Sequence, residues 1–294
     1  MSSVVTSAMI QELRQKTQAG MLLCKKALDE SGGDMQKAME FVAKAGHVKA
    51  AKSASRVAAE GIIAALVVGQ QGLLLEVNSE TDFVARDQSF NDFCKQAINA
   101  ALSNNVDTAE ALLASPFDAT MSVEEARTGL VARIGENLQV RRLARMSVTS
   151  GKIASYVHLN RIGVIVHYDG PESLGKDLAM QVAASQPEFV RSSEVPADRL
   201  DSEKRIFMAQ AEGTGKPPAV IEKMMEGRLK KWAQEVSLVD QPYFKNPDQS
   251  IQQVIDANKG AVYSFVRYQV GEGIVKEDKP SFAEEVQAQA SRGS

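Results

Sequence analysis

The spacing of hydrophobic positions changes along this chain, and each change marks a new kind of element. Over the first 56 residues the apolar positions recur at helical intervals. Ser7 can cap a segment running to about Thr17, on which Met9, Ile10 and Leu13 share a face. Residues 21–30 form a second such segment, closed by Ser31-Gly32-Gly33. Asp34 then caps a third segment, read as ending at Gly46. This predicts a small three-helix bundle. Residues 44–56, rich in Ala, Lys and Ser, read as a helical or extended linker out of it.

Beyond the linker the period shortens. Residues 62–68 and 73–77 are β-like runs joined through Gly69-Gln70-Gln71-Gly72, a hairpin signal. An amphipathic helix follows over about 88–102, with further helical sequence at 108–113 and 123–134. A third strand is expected at 138–146. The plan then recurs. Residues 153–159 and 163–168 make a second hairpin around Asn160-Arg161, a helix spans about 172–185, and a late strand covers 262–270. Superposing Gly72 on Gly163 is a shift of 91 and places Ile62 on Ile153. Val140-Arg141 match Val266-Arg267 at a shift of 126. The difference of 35 residues marks an insertion in the second unit. Helical runs at 196–212 and 217–234 flank Gly213-Thr214-Gly215-Lys216, and Ile221, Met225, Leu229 and Trp232 make an apolar stripe on the second run. This predicts an antiparallel helical hairpin that packs on the body or projects from it.

The expected fold class is therefore α+β. It has an N-terminal three-helix bundle and linker (1–56), then a core of two related units, each a three-stranded antiparallel sheet backed by helices (57–148 and 149–280). The second unit carries the inserted hairpin (196–234). A C-terminal module (281–294) holds a short amphipathic helix at about 281–290.

Composition narrows the functional classes. With 44% hydrophobic and 24% charged residues the 294-residue chain is ordinary globular protein. Thirty-four basic residues against 37 acidic give a net charge of −3, so binding driven by general phosphate neutralisation is a poor first reading. The charge is uneven: residues 1–56 carry +4 and the remainder −7, so a small basic module either touches something acidic or is simply solvated. Two cysteines and three histidines leave little material for a disulfide framework or a metal centre, and neither a metal nor a cofactor is expected. The start of the chain has no secretory pattern and the longest apolar run is far too short to span a bilayer, so a reducing, cytoplasmic setting is expected.

Gly213-Thr214-Gly215-Lys216 resembles a phosphate loop only superficially. Gln210 stands where its first glycine belongs, and Pro217 stands where a hydroxyl residue would bind magnesium. No G-x-S-x-G, H-E-x-x-H or C-x-x-C occurs. Cys24, among Leu22, Leu23, Ala27 and Leu28, reads as a small core residue. One segment stands apart. Asn78-Ser79-Glu80-Thr81-Asp82-Phe83-Val84-Ala85-Arg86 follows the second strand and precedes a helix. Ser79 and Asp82 resemble a capping box, and Thr81 is an alternative cap. A helix start here can present Phe83 and Val84 from a rigid base as a wedge for a partner. Pattern alone favours the other reading, in which Phe83 fills its own core and Asp82 complements the helix dipole.

The same residues carry a resemblance. The chain resembles the bacterial elongation factor Ts family over essentially its whole length. The matching pieces include Leu13-Arg14, Gly20-Met21, Cys24-Lys25-Lys26-Ala27-Leu28, Thr81-Asp82-Phe83-Val84-Ala85, Ile134-Gly135-Glu136-Asn137, Arg161-Ile162-Gly163-Val164, Gln241-Pro242 and Val270-Gly271-Glu272-Gly273-Ile274. The resemblance implies a ubiquitin-associated-like amino-terminal bundle. It implies a guanine nucleotide exchange factor without covalent catalysis, which meets elongation factor Tu in its GDP-bound and nucleotide-free forms. Thr81, Asp82, Phe83 and Val84 would dislocate the partner's magnesium ion. Arg14, Lys25, Ile134, Gly135 and His158 would add partner contacts, and the helical hairpin would contribute to pairing in the complex. Membrane and direct nucleic-acid binding are not expected. Three other classes remain open on pattern: an RNA- or ribosome-binding module, an enzyme with a site assembled through space, and an adaptor using residues 1–56.

Overall fold

The computed structural model describes residues 5–17, 19–212 and 217–275. The expected C-terminal helix and module, and the segment 213–216, lie outside the described residues.

Three helices open the chain: α1 (Ser7–Thr17), α2 (Met21–Glu30) and α3 (Met35–Ser53). Leu13, Cys24, Ala27, Leu28, Ala38 and Val42 meet at their centre. Asp34 caps α3 as expected, its carboxylate accepting the N–H groups of Gln36 and Lys37 at 2.9 and 3.1 Å. The first unit of the core then adds β1 (Glu60–Val68), β2 (Gln71–Ser79), α4 (Asp82–Ala85), α5 (Gln88–Ser103), α6 (Ala109–Ala114), α7 (Val123–Ile134) and β3 (Gln139–Ser147).

Gly46 does not end α3, contrary to the sequence reading. The helix runs on to Ser53 because Gly46 serves another purpose. It is buried against α7, and a Cβ there would stand 3.2 Å from the Thr128 carbonyl oxygen. The glycine lets two helix backbones approach, and residues 47–53 of the expected linker are part of the helix.

The second unit contains β4 (Lys152–His158), β5 (Ile162–Asp169), α8 (Glu172–Ser185), α9 (Ala197–Glu212), α10 (Pro218–Glu235), β6 (Pro242–Tyr243), β7 (Asn246–Ser250), α11 (Ile251–Ala257) and β8 (Ala261–Gln269). The short pair β6–β7 and α11 are absent from the sequence reading. The expected apolar stripe on α10 is half-buried against α9, with the Arg199 guanidinium 6.0 Å from the Trp232 ring.

The sheets β1-β2-β3 and β4-β5-β8 are both antiparallel and lie face to face. Strand alternation sorts their side chains into layers. Leu73, Leu75 and Val77 join Phe90, Phe93 and Ala97 on the outer face of the first sheet. Ile63 and Leu74 point the other way, to Ile153 and Ile165 of the second sheet. Val164, Val166 and Tyr168 then face Leu174, Leu178 and Val182 of α8. The order is helices, sheet, sheet, helices, which confirms the α+β class and explains why β2 is buried along nearly its whole length.

The register corrects the repeat. The second hairpin has a three-residue loop where the first has two. Strand β1 therefore maps onto β4 at a shift of 90, placing Ile63 rather than Ile62 on Ile153, while β2 maps onto β5 at 91. Both units carry a β-bulge at the same place, between Glu76 and Val77 and between His167 and Tyr168. Arg145 faces Leu73 and Arg267 faces Val164, so the third strands correspond at a shift of 122 and not 126.

A polar tie also joins the units. Glu76 is fully buried. It accepts the Gly271 N–H at 2.8 Å, the Asn78 amide at 3.0 Å, Arg141 at 3.0 Å and Arg142 at 2.5 Å. Arg142 continues to the Gln269 carbonyl and the Glu272 carboxylate, both at 3.0 Å.

Candidate functional site

The site begins where β2 ends. Ser79 is buried, and its hydroxyl donates to the Thr81 carbonyl at 2.9 Å, which tightens the turn. The capping box expected between Ser79 and Asp82 does not form. Thr81 is the residue before the single turn of α4, but its side chain does not cap it. Its hydroxyl donates instead to Glu136 Oε1 at 2.7 Å, and its N–H donates to Glu136 Oε2 at 3.1 Å.

Within α4 the two apolar residues part company. Val84 is 8% exposed and joins the core under α5 and α7. Phe83 is 78% exposed. The pattern-only expectation of a buried Phe83 is overturned, because consecutive residues on one helical turn face about 100° apart and only one can enter the core. Asp82 is half-exposed and pairs with Arg86 at 2.7 Å. Asp87 closes the segment by capping α5, accepting the N–H groups of Ser89 and Phe90 at 2.9 and 3.2 Å. The Ser89 hydroxyl on its carboxylate, helped by these N–H groups, lowers the Asp87 pKa.

A second loop braces the first. Ile134 ends α7 and packs at the edge of the core, and Gly135 stops the helix in the left-handed region at φ +91°. Glu136 then receives Thr81 as described. In return Glu80 receives the Asn137 N–H at 2.5 Å and Arg56 at 3.0 Å. Arg56 also donates to the Gly135 carbonyl at 3.1 Å, and its own carbonyl accepts the Asn137 amide at 2.8 Å.

His158 is exposed at the end of β4, 3.1 Å from the Tyr156 hydroxyl through Nδ1. Its hairpin tip is fixed to β1: the Ile63 N–H donates to the Asn160 carbonyl at 2.7 Å, and Arg161 pairs with Glu60 at 2.5 Å. Glu60 lies opposite Ser79, so this tip and the α4 turn are both anchored at the first half of β1. Arg14 is exposed on α1, beside Arg133 in the last turn of α7; burial first, and the nearby Arg14 charge after it, lower the Arg133 pKa. Lys25 is exposed on α2, and among the described residues no hydrogen bond or ion pair joins it to this set.

The structure thus gathers Thr81, Asp82, Phe83, Val84, Ile134 and Gly135 and leaves Lys25 apart. Sequence reasoning passed over Arg56, Glu80, Glu136 and Asn137 as site residues. For three of them the signal was present: Glu80 lies in the segment 78–86 singled out above, and Glu136 and Asn137 form the second half of Ile134-Gly135-Glu136-Asn137.

Among the described residues, no group of three or more His, Cys, Asp or Glu is placed to hold a metal ion, and no helix is long and apolar enough to cross a membrane. What the arrangement offers is an exposed ring beside a half-exposed carboxylate on a base that the core and a second loop hold still. An exposed aromatic on a fixed base is the kind of anchor that protein interfaces use. The family profile described as Elongation factor TS matches residues 80–272. The chain is similar to elongation factor Ts of Methylococcus capsulatus, 46% identical over 288 residues that cover 97% of this chain and 98% of the relative. It is similar to that of Burkholderia multivorans, 46% identical over 291 residues that cover 98% of each. The chain belongs to the elongation factor Ts family of translation elongation factors.

Proposed function

We propose that this chain is a guanine nucleotide exchange factor that binds elongation factor Tu carrying GDP and speeds GDP release so that GTP can rebind. The observation that carries the reading is the exposed Phe83 ring, set on a turn whose neighbour Val84 is locked in the core. A GTPase holds GDP through phosphate-loop amides and a bridging magnesium ion. Phe83 enters near that ion, and Asp82 disturbs the charges that order its ligand shell. Thr81 and Val84 set the pose of the pair. No covalent step is involved. By linkage, the factor weakens nucleotide binding as much as nucleotide weakens binding of the factor. Each tenfold change requires about 1.4 kcal/mol of contact made only with the nucleotide-free partner.

Arg14, Lys25, Ile134, Gly135 and His158 add docking contacts. The N-terminal bundle strengthens docking, the core performs exchange in the cytoplasm, and the α9–α10 hairpin contributes to pairing within the complex. The test is release of a fluorescent GDP analogue from elongation factor Tu. The wild-type chain should accelerate it strongly and Phe83→Ala should lose most of that acceleration. No acceleration by the wild type at any concentration sinks the reading.

A further inference from the structure

Phe83 owes its exposure to α4, and α4 lacks the usual means of fixing its own start. It is a single turn with no side-chain cap. Val84 anchors one end. At the other, both polar groups of Thr81 that face away from the turn are taken by one carboxylate, that of Glu136, which is 55 residues distant in sequence. Glu136 is itself held on both sides. Before it, the Gly135 carbonyl accepts Arg56; after it, the Asn137 N–H reaches Glu80. The two loops therefore exchange carboxylates: Glu80 serves the backbone next to Glu136, and Glu136 serves the backbone next to Glu80.

We propose that Glu136 is a positioning residue for the Phe83 ring. It sets the direction in which α4 leaves β2, and so the path on which the ring enters the partner. This rests on the exchange reading above and extends it to a residue that need not touch the partner at all. The carboxylate accepts both bonds at once; an amide would not separate them, because its oxygen accepts the Thr81 N–H while its nitrogen donates to the Thr81 hydroxyl oxygen, so the discriminating change is to a side chain that neither donates nor accepts. Glu136→Leu keeps most of the bulk but releases both Thr81 groups. Thr81→Val releases the hydroxyl from the other side, and Thr81→Ser retains it.

The experiment follows release of the fluorescent GDP analogue from elongation factor Tu over a range of factor concentrations. It is paired with urea unfolding and with a motional reporter in the free factor, Phe83→Trp in a Trp232→Phe background. The expected result is a fall of about tenfold in the saturating release rate for Glu136→Leu, equivalent to about 1.4 kcal/mol. The half-saturating concentration should stay within about twofold, Thr81→Val should show a smaller fall of the same kind, Thr81→Ser should behave as wild type, and the double variant should be no worse than Glu136→Leu alone. In the reporter chain, Glu136→Leu should shorten the fluorescence anisotropy decay of the introduced indole.

A raised half-saturating concentration at an unchanged saturating rate would make Glu136 a docking contact and overturn the proposal. So would single-variant losses that multiply in the double variant, or a rate loss that merely tracks the unfolded fraction. If the wild type itself fails to accelerate release, the exchange reading falls. The anisotropy of the reporter then still decides the positioning role, and an unchanged decay refutes it.

Discussion

Ile63 occupies the space that a side chain at Gly163 would need. A Cβ built on Gly163 would stand 2.3 Å from Ile63 Cγ2, and the relation is mirrored across the two sheets, where a Cβ on Gly72 would stand 2.8 Å from Ile153 Cγ2. Each unit thus presents a glycine to the isoleucine of the other. Gly163→Ala should destabilise the protein by about 1–3 kcal/mol through overpacking. Ile63→Ala in the same chain, which removes Cγ2, should recover part of the loss, although that change alone costs about 2–5 kcal/mol. Urea denaturation of the two single variants and the double variant would check this; strictly additive losses would show that the two side chains do not compete for one space.

Phe83 and Val84 should separate function from stability. Phe83 is exposed, so Phe83→Ala should leave unfolding within about 0.5 kcal/mol of wild type while abolishing most exchange. Val84 is buried, so Val84→Ala should cost about 1–3 kcal/mol. Thermal unfolding alongside GDP release distinguishes them. A strongly destabilised Phe83→Ala would mean that the ring is tucked into the fold in solution.

Glu76 should shape the acid limb of stability. Burial alone would raise its pKa. The Gly271 N–H, the Asn78 amide and Arg142 outweigh that and hold it below its ordinary value of 4.5. A carboxylate with a folded pKa below the unfolded one contributes stability that is present above about pH 4.5 and is lost as pH falls through the folded value. Glu76→Gln should flatten the fall in unfolding free energy below pH 4.5. At neutral pH it should cost about 3 kcal/mol, because Arg141 and Arg142 lose their shared partner. An acid limb identical to wild type would show that Glu76 is not the group that titrates there.

Asp87→Ala should lower stability by about 1 kcal/mol at neutral pH through loss of the α5 cap. Asp87 also has a lowered pKa, so wild type and variant should converge as pH falls below the ordinary aspartate value of 3.8. Unfolding curves at pH 7 and pH 3 measure both. An unchanged gap at pH 3 would point to an uncharged role for the side chain.

The elements most legible in the sequence were those whose burial is one-sided. Residues 172–185 and 123–134 agree with the helices found: the second is bounded by the Ser122–Glu125 capping box and the Gly135 stop, whereas the first has no side-chain cap and is marked by Pro171 before it and by its apolar face. The pair β6–β7 was not legible, since Asn246–Ser250 is almost entirely exposed and has no alternation to read. The seven residues of α11 carry a genuine signal in the Ser250–Gln253 capping box, but its apolar run is too short for periodicity to register. Gly46 misled because a helix-stopping glycine and a close-packing glycine look alike until the neighbouring helix is known. In the candidate site, Phe83 and its turn were visible as a motif. The braces were not, because Glu136 and Arg56 act on residues 55 and 79 positions away, and no local spacing encodes that.

The hairpin tip holding His158 and the turn holding Phe83 are both fastened to β1, one through Asn160 and Arg161 and the other through the end of β2. The Val270 N–H adds a further backbone bond to Arg161 at 2.8 Å, from the strand end that also reaches Glu76. The two projections therefore share one footing and do not stand on separate hinges. On the exchange reading proposed above, a partner that touches both would find them already set, and the accommodation would fall on the partner.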